Sequence, residues 1–224
     1  MADPVTANLV MRDTKLPIAR ELAEMLLIEL DLKNSLASLT LWSEIYKSRD
    51  FADDNRKTII GSLFRDGITQ FVNCFDSKNI VPLVVETVFP TVEGITPYFR
   101  WLRALRNSYT AHRHGAARQC IAGVMVHPVS GEYVGWGRLF AVYTGPSQEG
   151  HASLLSLIRM AINYVQGRIE VFANEFETEA KALGQEALLR LPPAPIQAQA
   201  PTDMSKSRGD VRAGILREHD DKLA

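Results

Sequence analysis

Apolar residues recur at helical spacing over four stretches of this chain and change period over another. From Pro17 onward, Ile18, Leu22, Met25, Leu32, Leu36, Leu39 and Tyr46 follow at intervals of three, four or their sum. Leu26, Leu30, Leu41 and Ile45 widen that stripe. The spacing predicts an amphipathic helix of about 30 residues ending near Lys47, with Pro17 in the first turn, where a missing N–H goes unmissed. A polar break, Asp50 to Asn55, offers Asp53 and Asp54 as caps for a second helix over 54–75. Its apolar face is Ile60, Leu63, Phe64, Gly67, Ile68, Phe71, Val72 and Phe75. Gly61 and Gly67 would let a neighbour approach closely, at some cost in helix propensity. The segment from Pro82 to Phe89 fits either a short helix or an extended piece, given its β-branched run.

A third helix is expected over 97–114, with Thr96 as N-cap, Pro97 as first residue and Gly115 beyond its end. Tyr98, Leu102, Leu105, Tyr109 and His112 form its core stripe. Arg103, Arg106, Thr110 and Arg113 lie on an adjacent stripe, so His112 stands at the border of an apolar and a basic side. Residues 120–144 change period. Two β-branched and aromatic runs surround Pro128-Val129-Ser130-Gly131, which predicts a β-hairpin, with Gly135 and Gly137 marking a bulge or bend in its second strand. A last helix over 151–183 carries Leu155, Ile158, Ile162, Val165, Ile169, Phe172 and Phe176 at alternating threes and fours, with Lys181 in its last turn and Gly184 as its stop. That seam would pack on the first helix or on a second subunit; packing within the chain is the favoured reading.

The expected fold is therefore mainly α: an up-and-down bundle of four to five helices with a β-hairpin inserted near 120–144. Residues 1–15 read as a flexible N-terminus and 16–184 as the helical domain. The stretch 185–224, opening toward Pro192-Pro193-Ala194-Pro195, reads as a Pro/Ala/Gln-rich linker and a disordered charged tail.

Composition narrows the picture only locally. A net charge of −1 and 46% hydrophobic residues are ordinary for a globular protein. No run of about 18 apolar residues is present and the N-terminus lacks the apolar stretch of a signal peptide, so a cytoplasmic protein with no membrane partner is expected. Cys74 and Cys120 fall in no CxxC pattern and read as small buried hydrophobes. With His127 and His151 they make no metal-ligand spacing, and no phosphate-cradling glycine loop exists, so neither metal nor other cofactor is expected. The local signal is one of charge. From Gly94 to Gly131 there is no Asp or Glu, where 26 acids in 224 residues would place about four. Arg100, Arg103, Arg106, Arg113 and Arg118 stand there, with His112, His114 and His127. A positive surface bearing imidazole suits a phosphate-bearing partner.

Cutting RNA without a metal needs a base for the 2′-hydroxyl, an acid for the leaving 5′-oxygen and a fixed cation for the pentavalent phosphorane. Arg106, Asn107 and His112 supply a cation, a neutral positioning group and one proton carrier. A second carrier would come from His114, a water or another subunit. Arg106 and His112 are six residues apart, about 600° of helical rotation, and so point about 120° apart on one straight helix. They converge if the helix distorts before Gly115, or if two copies face each other across a two-fold axis. The bland reading of His112 is a histidine offsetting a helix dipole, and that of Arg103 and Arg113 is a wetted face. Trp42, Trp101 and Trp136 read as packing residues.

The stretch Arg106-Asn107-Ser108-Tyr109-Thr110-Ala111-His112 resembles the Arg-Asn-x-x-x-Ala-His signature of HEPN domains, and the layout of long helices resembles the AbiU-like HEPN proteins of abortive-infection systems. The resemblance covers most of residues 16–184, with the hairpin as an insertion. It implies a dimeric helical bundle and a metal-independent endoribonuclease of toxin–antitoxin or antiphage defence, with RNA as substrate and a separate antitoxin as partner. It maps catalysis to Arg106, His112 and Asn107, with Arg103, Tyr109, Arg113 and His114 as nucleic-acid contacts. Other HEPN domains are non-catalytic RNA-binding or dimerisation modules, which is the alternative reading.

Overall fold

A computed structural model describes residues 11–47, 54–75, 79–110, 118–142 and 145–194. In chain order its elements are α1 (Pro17–Lys47), α2 (Asp54–Asn73), α3 (Val85–Val88), α4 (Ile95–Thr110), β1 (Arg118–Val126), β2 (Tyr133–Val142), α5 (Gln148–Ala182) and α6 (Gln185–Arg190). The chain is mainly helical, with one small two-stranded antiparallel sheet. It divides into two compact units. One is Lys15–Ala182. The other consists, among the described residues, of 11–14 and 183–194.

In the larger unit α1 packs between α2 and α5. The α1–α5 pair is antiparallel: Trp42, near the end of α1, meets His151 near the start of α5, while Glu29 accepts a hydrogen bond from Gln166 at 2.8 Å. Leu154, Ile158, Ala161, Ile162 and Val165 of α5 are buried within the single chain. The α5 seam is thus largely covered from within, as the favoured reading had it.

α2 matches its sequence pattern closely: Ile60, Phe64, Ile68, Phe71, Val72 and Phe75 are buried. α1 does not. Its buried face is Ile18, Met25, Ile28, Leu32, Ser35, Leu39 and Trp42, whereas Leu26, Leu30 and Leu41, expected to widen the stripe, are about half exposed. Leucine on nearly every side of this helix left its core face undetermined by hydrophobicity. Ser35 enters that face because its hydroxyl donates to the Gly67 carbonyl at 2.7 Å, satisfying a buried polar group. At the same crossing a Cβ on Gly67 would lie 2.6 Å from Leu39 Cγ, so Gly67 does permit close packing; beside Gly61 there is open space, and it does not.

α4 begins two residues earlier than expected. Gly94, at φ +72°, supplies the first helical carbonyl, which accepts from the Tyr98 N–H. Thr96 is therefore inside the helix. Its hydroxyl does not cap but donates to Glu86 Oε1 of α3 at 2.6 Å. Pro97 still sits in the first turn, where no N–H partner is needed. Between Pro82 and Phe89 the short-helix alternative holds over Val85–Val88.

The hairpin forms as expected, and its irregularity falls in the second strand. Met125 pairs with Gly135 and Val126 with Tyr133, leaving Val134 as the extra residue. Trp136, expected to pack, is 69% exposed. In the smaller unit, α6 and residues 192–194 replace the start of the expected linker. Arg12 bridges Pro193, the Asp13 N–H donates to the Pro192 carbonyl at 3.0 Å, and the Ala194 N–H donates to the Met11 carbonyl at 3.0 Å. Prolines held extended offer carbonyls to a second extended segment, which composition alone does not reveal. The expected tail beyond 194 lies outside the described residues.

Candidate nucleic-acid interface

The rotation of α4 is set by Ile95, Phe99, Leu102 and Leu105, all buried against a cluster that includes Phe71, Phe75 and Phe89. That rotation brings the basic stripe out along the C-terminal end of α2. Arg103 Nη2 donates to the Phe75 carbonyl at 3.1 Å, meeting one of the carbonyls that a helix leaves unpaired at its end. Arg106 is half-buried, and its Nη1 donates to Asn73 Oδ1 at 2.6 Å. Asn73 is an amide. The amide oxygen accepts from the guanidinium and so helps to hold it in place.

Asn107, next in the chain, is exposed. The Ser108 hydroxyl bonds back to the Leu105 carbonyl at 2.7 Å. Tyr109 is half-buried with its ring edge-on to Phe64, centroids 6.4 Å apart, so its ring body belongs to the core. Ala111, His112, Arg113, His114 and Gly115 lie outside the described residues. The structure thus places Arg106 and Asn107 side by side on α4 with Arg103 one turn earlier; among the described residues it does not reach the histidine half of the motif.

Two neighbours of this region were not singled out by the sequence. Asn73 is separated from Arg106 by 33 residues. It follows a run of apolar positions with nothing in its local pattern to mark it. His151 was recognised only as the start of a helix. It is buried, with its ring 4.7 Å from that of Trp42 and its Nε2 2.9 Å from the Leu39 carbonyl oxygen. A carbonyl only accepts, so Nε2 carries the hydrogen. Burial pushes this histidine below its ordinary value of 6.5; the bond to Leu39 works in the opposite direction, and the charge of Lys47 adds to the lowering. Trp42, Tyr46, Lys47 and His151 help line a cavity of about 300 Å³ at this end of α1. A wider groove, about 790 Å³, runs between residues 92–98 and the first turns of α5, with Glu93 as its one charged lining residue.

His127 sits in the hairpin turn, where its Nδ1 accepts from the Val129 and Ser130 N–H groups at 3.4 and 3.3 Å. Cys74 is buried in contact with backbone carbonyls. Among the described residues no group of three or more His, Cys, Asp or Glu is placed to hold a metal ion, and no helix is long and apolar enough to cross a membrane. In comparisons with known proteins, no family model matches the chain, and neither does any curated protein or solved structure.

Proposed function

We propose that this chain is a HEPN-type, metal-independent endoribonuclease that acts as a homodimer on RNA in a toxin–antitoxin or antiphage-defence setting. His112 serves as general base or acid, Arg106 stabilises the phosphorane, and Asn107 orients the phosphate or the imidazole. Arg103, Tyr109, Arg113 and His114 contribute to RNA contact. The observation that supports this reading is the hold on Arg106: a half-buried guanidinium is fixed by a neutral amide, with an exposed asparagine beside it. A guanidinium held in place by a hydrogen bond is pre-positioned, which is what phosphorane stabilisation requires. A separate antitoxin protein would mask this surface.

The test is cleavage of single-stranded RNA by the purified chain in EDTA, with product ends read for a cyclic phosphate. His112→Ala is expected to lose about 100-fold or more in rate, the usual contribution of a positioned proton carrier. If His112→Ala cleaves as fast as the unmodified chain, the mechanism is wrong.

One observation favours a second reading, a non-catalytic RNA-binding or dimerisation module of the same type. Arg103 and Arg106 both bond to the end of α2, so the two side chains also tie α4 to α2. On this reading no substrate is cut. Arg106→Ala weakens RNA binding and lessens its salt dependence by about one phosphate contact.

A further inference from the structure

The end of α1 and the start of α5 enclose a cavity of about 300 Å³, a volume at the lower limit of small-molecule sites. One wall of it is held in place from several sides. The Trp42 indole is 2% exposed, stacked on Tyr46 with ring centroids 5.0 Å apart, and flanked by Phe64 at 5.7 Å and His151 at 4.7 Å. Gly145, at φ +145°, passes so close that a Cβ on it would overlap Trp42 Cζ2. A side chain packed this closely has little room to move, so the wall is formed before any ligand arrives.

The polar groups of the lining are few. Lys47 is the one charged residue among those that line the cavity; Ser43, Tyr46 and His151 stand beside it, and Leu155 and Ala152 add apolar surface. Lys47 is near enough for its charge to oppose protonation of His151. His151 is 4% exposed. Its Nε2 hydrogen is committed to the Leu39 carbonyl, so the neutral ring keeps Nδ1 as an acceptor, and among the described residues no group donates to it. A buried acceptor without a donor costs free energy that a donating ligand would recover.

We propose that this cavity binds a small aromatic acid bearing a hydroxyl group: the carboxylate meets Lys47, the hydroxyl donates to His151 Nδ1, and the ring rests against Tyr46 and Leu155. The lining selects this class. A cationic ligand would face Lys47 with no acid in the lining to receive it. A purely apolar ligand would leave Nδ1 dry and unpaired. A strand of RNA does not fit an enclosure of this volume, so the site is separate from the basic stripe of α4 and does not depend on the ribonuclease reading. Lys47 is exposed, so its ion pair is screened by water and contributes less than the buried hydrogen bond.

Isothermal titration of the full chain at neutral pH with 3-hydroxybenzoate and 4-hydroxybenzoate tests it. At least one is expected to bind with a Kd on the order of 100 µM, reasonable for a ligand of about ten heavy atoms. The matching fluorobenzoate, which keeps the shape and loses the donor, should bind about tenfold more weakly. The matching hydroxybenzamide, which loses the charge, should bind several-fold more weakly. Lys47→Met should remove the preference for acid over amide, and His151→Gln the preference for hydroxyl over fluorine. Ala152→Leu adds three carbons to the lining and should abolish binding of every probe. Lys47 and Ala152 are exposed, so these two variants decide the matter even if His151→Gln loosens the bundle. Absence of binding by both acids at millimolar concentration overturns the proposal. So does equal binding of acid, amide and fluoro compound, or binding that survives Lys47→Met and Ala152→Leu unchanged, which would place the ligand elsewhere on the chain.

Discussion

Asn73 and Arg106 show how a neutral residue from one helix can hold a charged side chain of another. If the guanidinium must be held for catalysis, Asn73→Ala should lower RNA cleavage on the order of tenfold, since a hydrogen bond to a charged group contributes about 1.5–3 kcal/mol. Thermal stability should move much less than activity. A parallel loss of both would assign the contact to helix packing alone. His151 gives a second residue-level expectation, in pH. Its folded value lies below the ordinary 6.5, so the unfolded chain binds the proton more readily. Its contribution to stability is complete above about 6.5 and is lost as pH falls through the lowered folded value. His151→Gln keeps a donor for the Leu39 carbonyl and cannot titrate. Melting temperatures of the two proteins should therefore converge as pH drops from about 7 to about 5, the histidine range. Parallel curves would show that His151 does not titrate in this way. Neither residue was legible in advance. The burial of His151 depends on Trp42 and Leu39, more than a hundred positions away in the chain, and Asn73 has no periodic signature. Arg106 and Asn107, by contrast, could be singled out because they are neighbours in the sequence, within a stretch free of acids.

Elements were legible where one side of a helix is polar. α2 alternates apolar and charged positions cleanly, and its core face follows the sequence almost residue for residue. α1 carries leucine all round, so its length could be read but its rotation could not; Ser35 and Glu24 lie in the buried set while Leu26, Leu27 and Leu30 do not. The choice is made by the partner helices. Ser35 bonds to the Gly67 carbonyl, and the Ile80 N–H donates to Glu24 Oε1 at 3.3 Å. The α1–α2 crossing supplies a paired prediction. In Gly67→Ala the new Cβ meets Leu39 Cγ at 2.6 Å, in a core where Leu39 is fully buried, so overpacking should cost about 1–3 kcal/mol. Gly61→Ala meets nothing within 4 Å and should stabilise the helix by about 0.5–1 kcal/mol. Chemical denaturation of both variants checks the opposite signs. Equal effects would mean that the close approach at Gly67 is absent. The bulge at Val134 was legible for a related reason: Gly135 and Gly137 interrupt a β-branched run, and the register breaks beside them.

At the scale of the whole molecule, the distribution of buried side chains separates what folds from what is appended. The buried apolar residues, as far as the chain is described, begin at Ile18 and end at Phe172, all inside the Lys15–Ala182 unit. In the other unit α6 buries none of its residues; Leu189 is 67% exposed and the Arg190–Glu186 ion pair is at the surface. Such a surface pair contributes little, because water screens it and two long side chains must be ordered. A chain of residues 15–182 therefore keeps every buried apolar residue among those described, and with it the area that drives folding. It should unfold in one cooperative transition, with a melting temperature within a few degrees of the full chain. The comparison is most telling by calorimetry, where a two-state enthalpy in the shorter chain shows that the core is self-sufficient. A shorter chain that aggregates, or melts broadly, would mean that 1–14 or 183–224 covers apolar surface of the bundle. Periodic apolar residues end near 184 in the sequence and prolines follow from Pro192, so the stop of the described core at Phe172 has a counterpart in the apolar pattern.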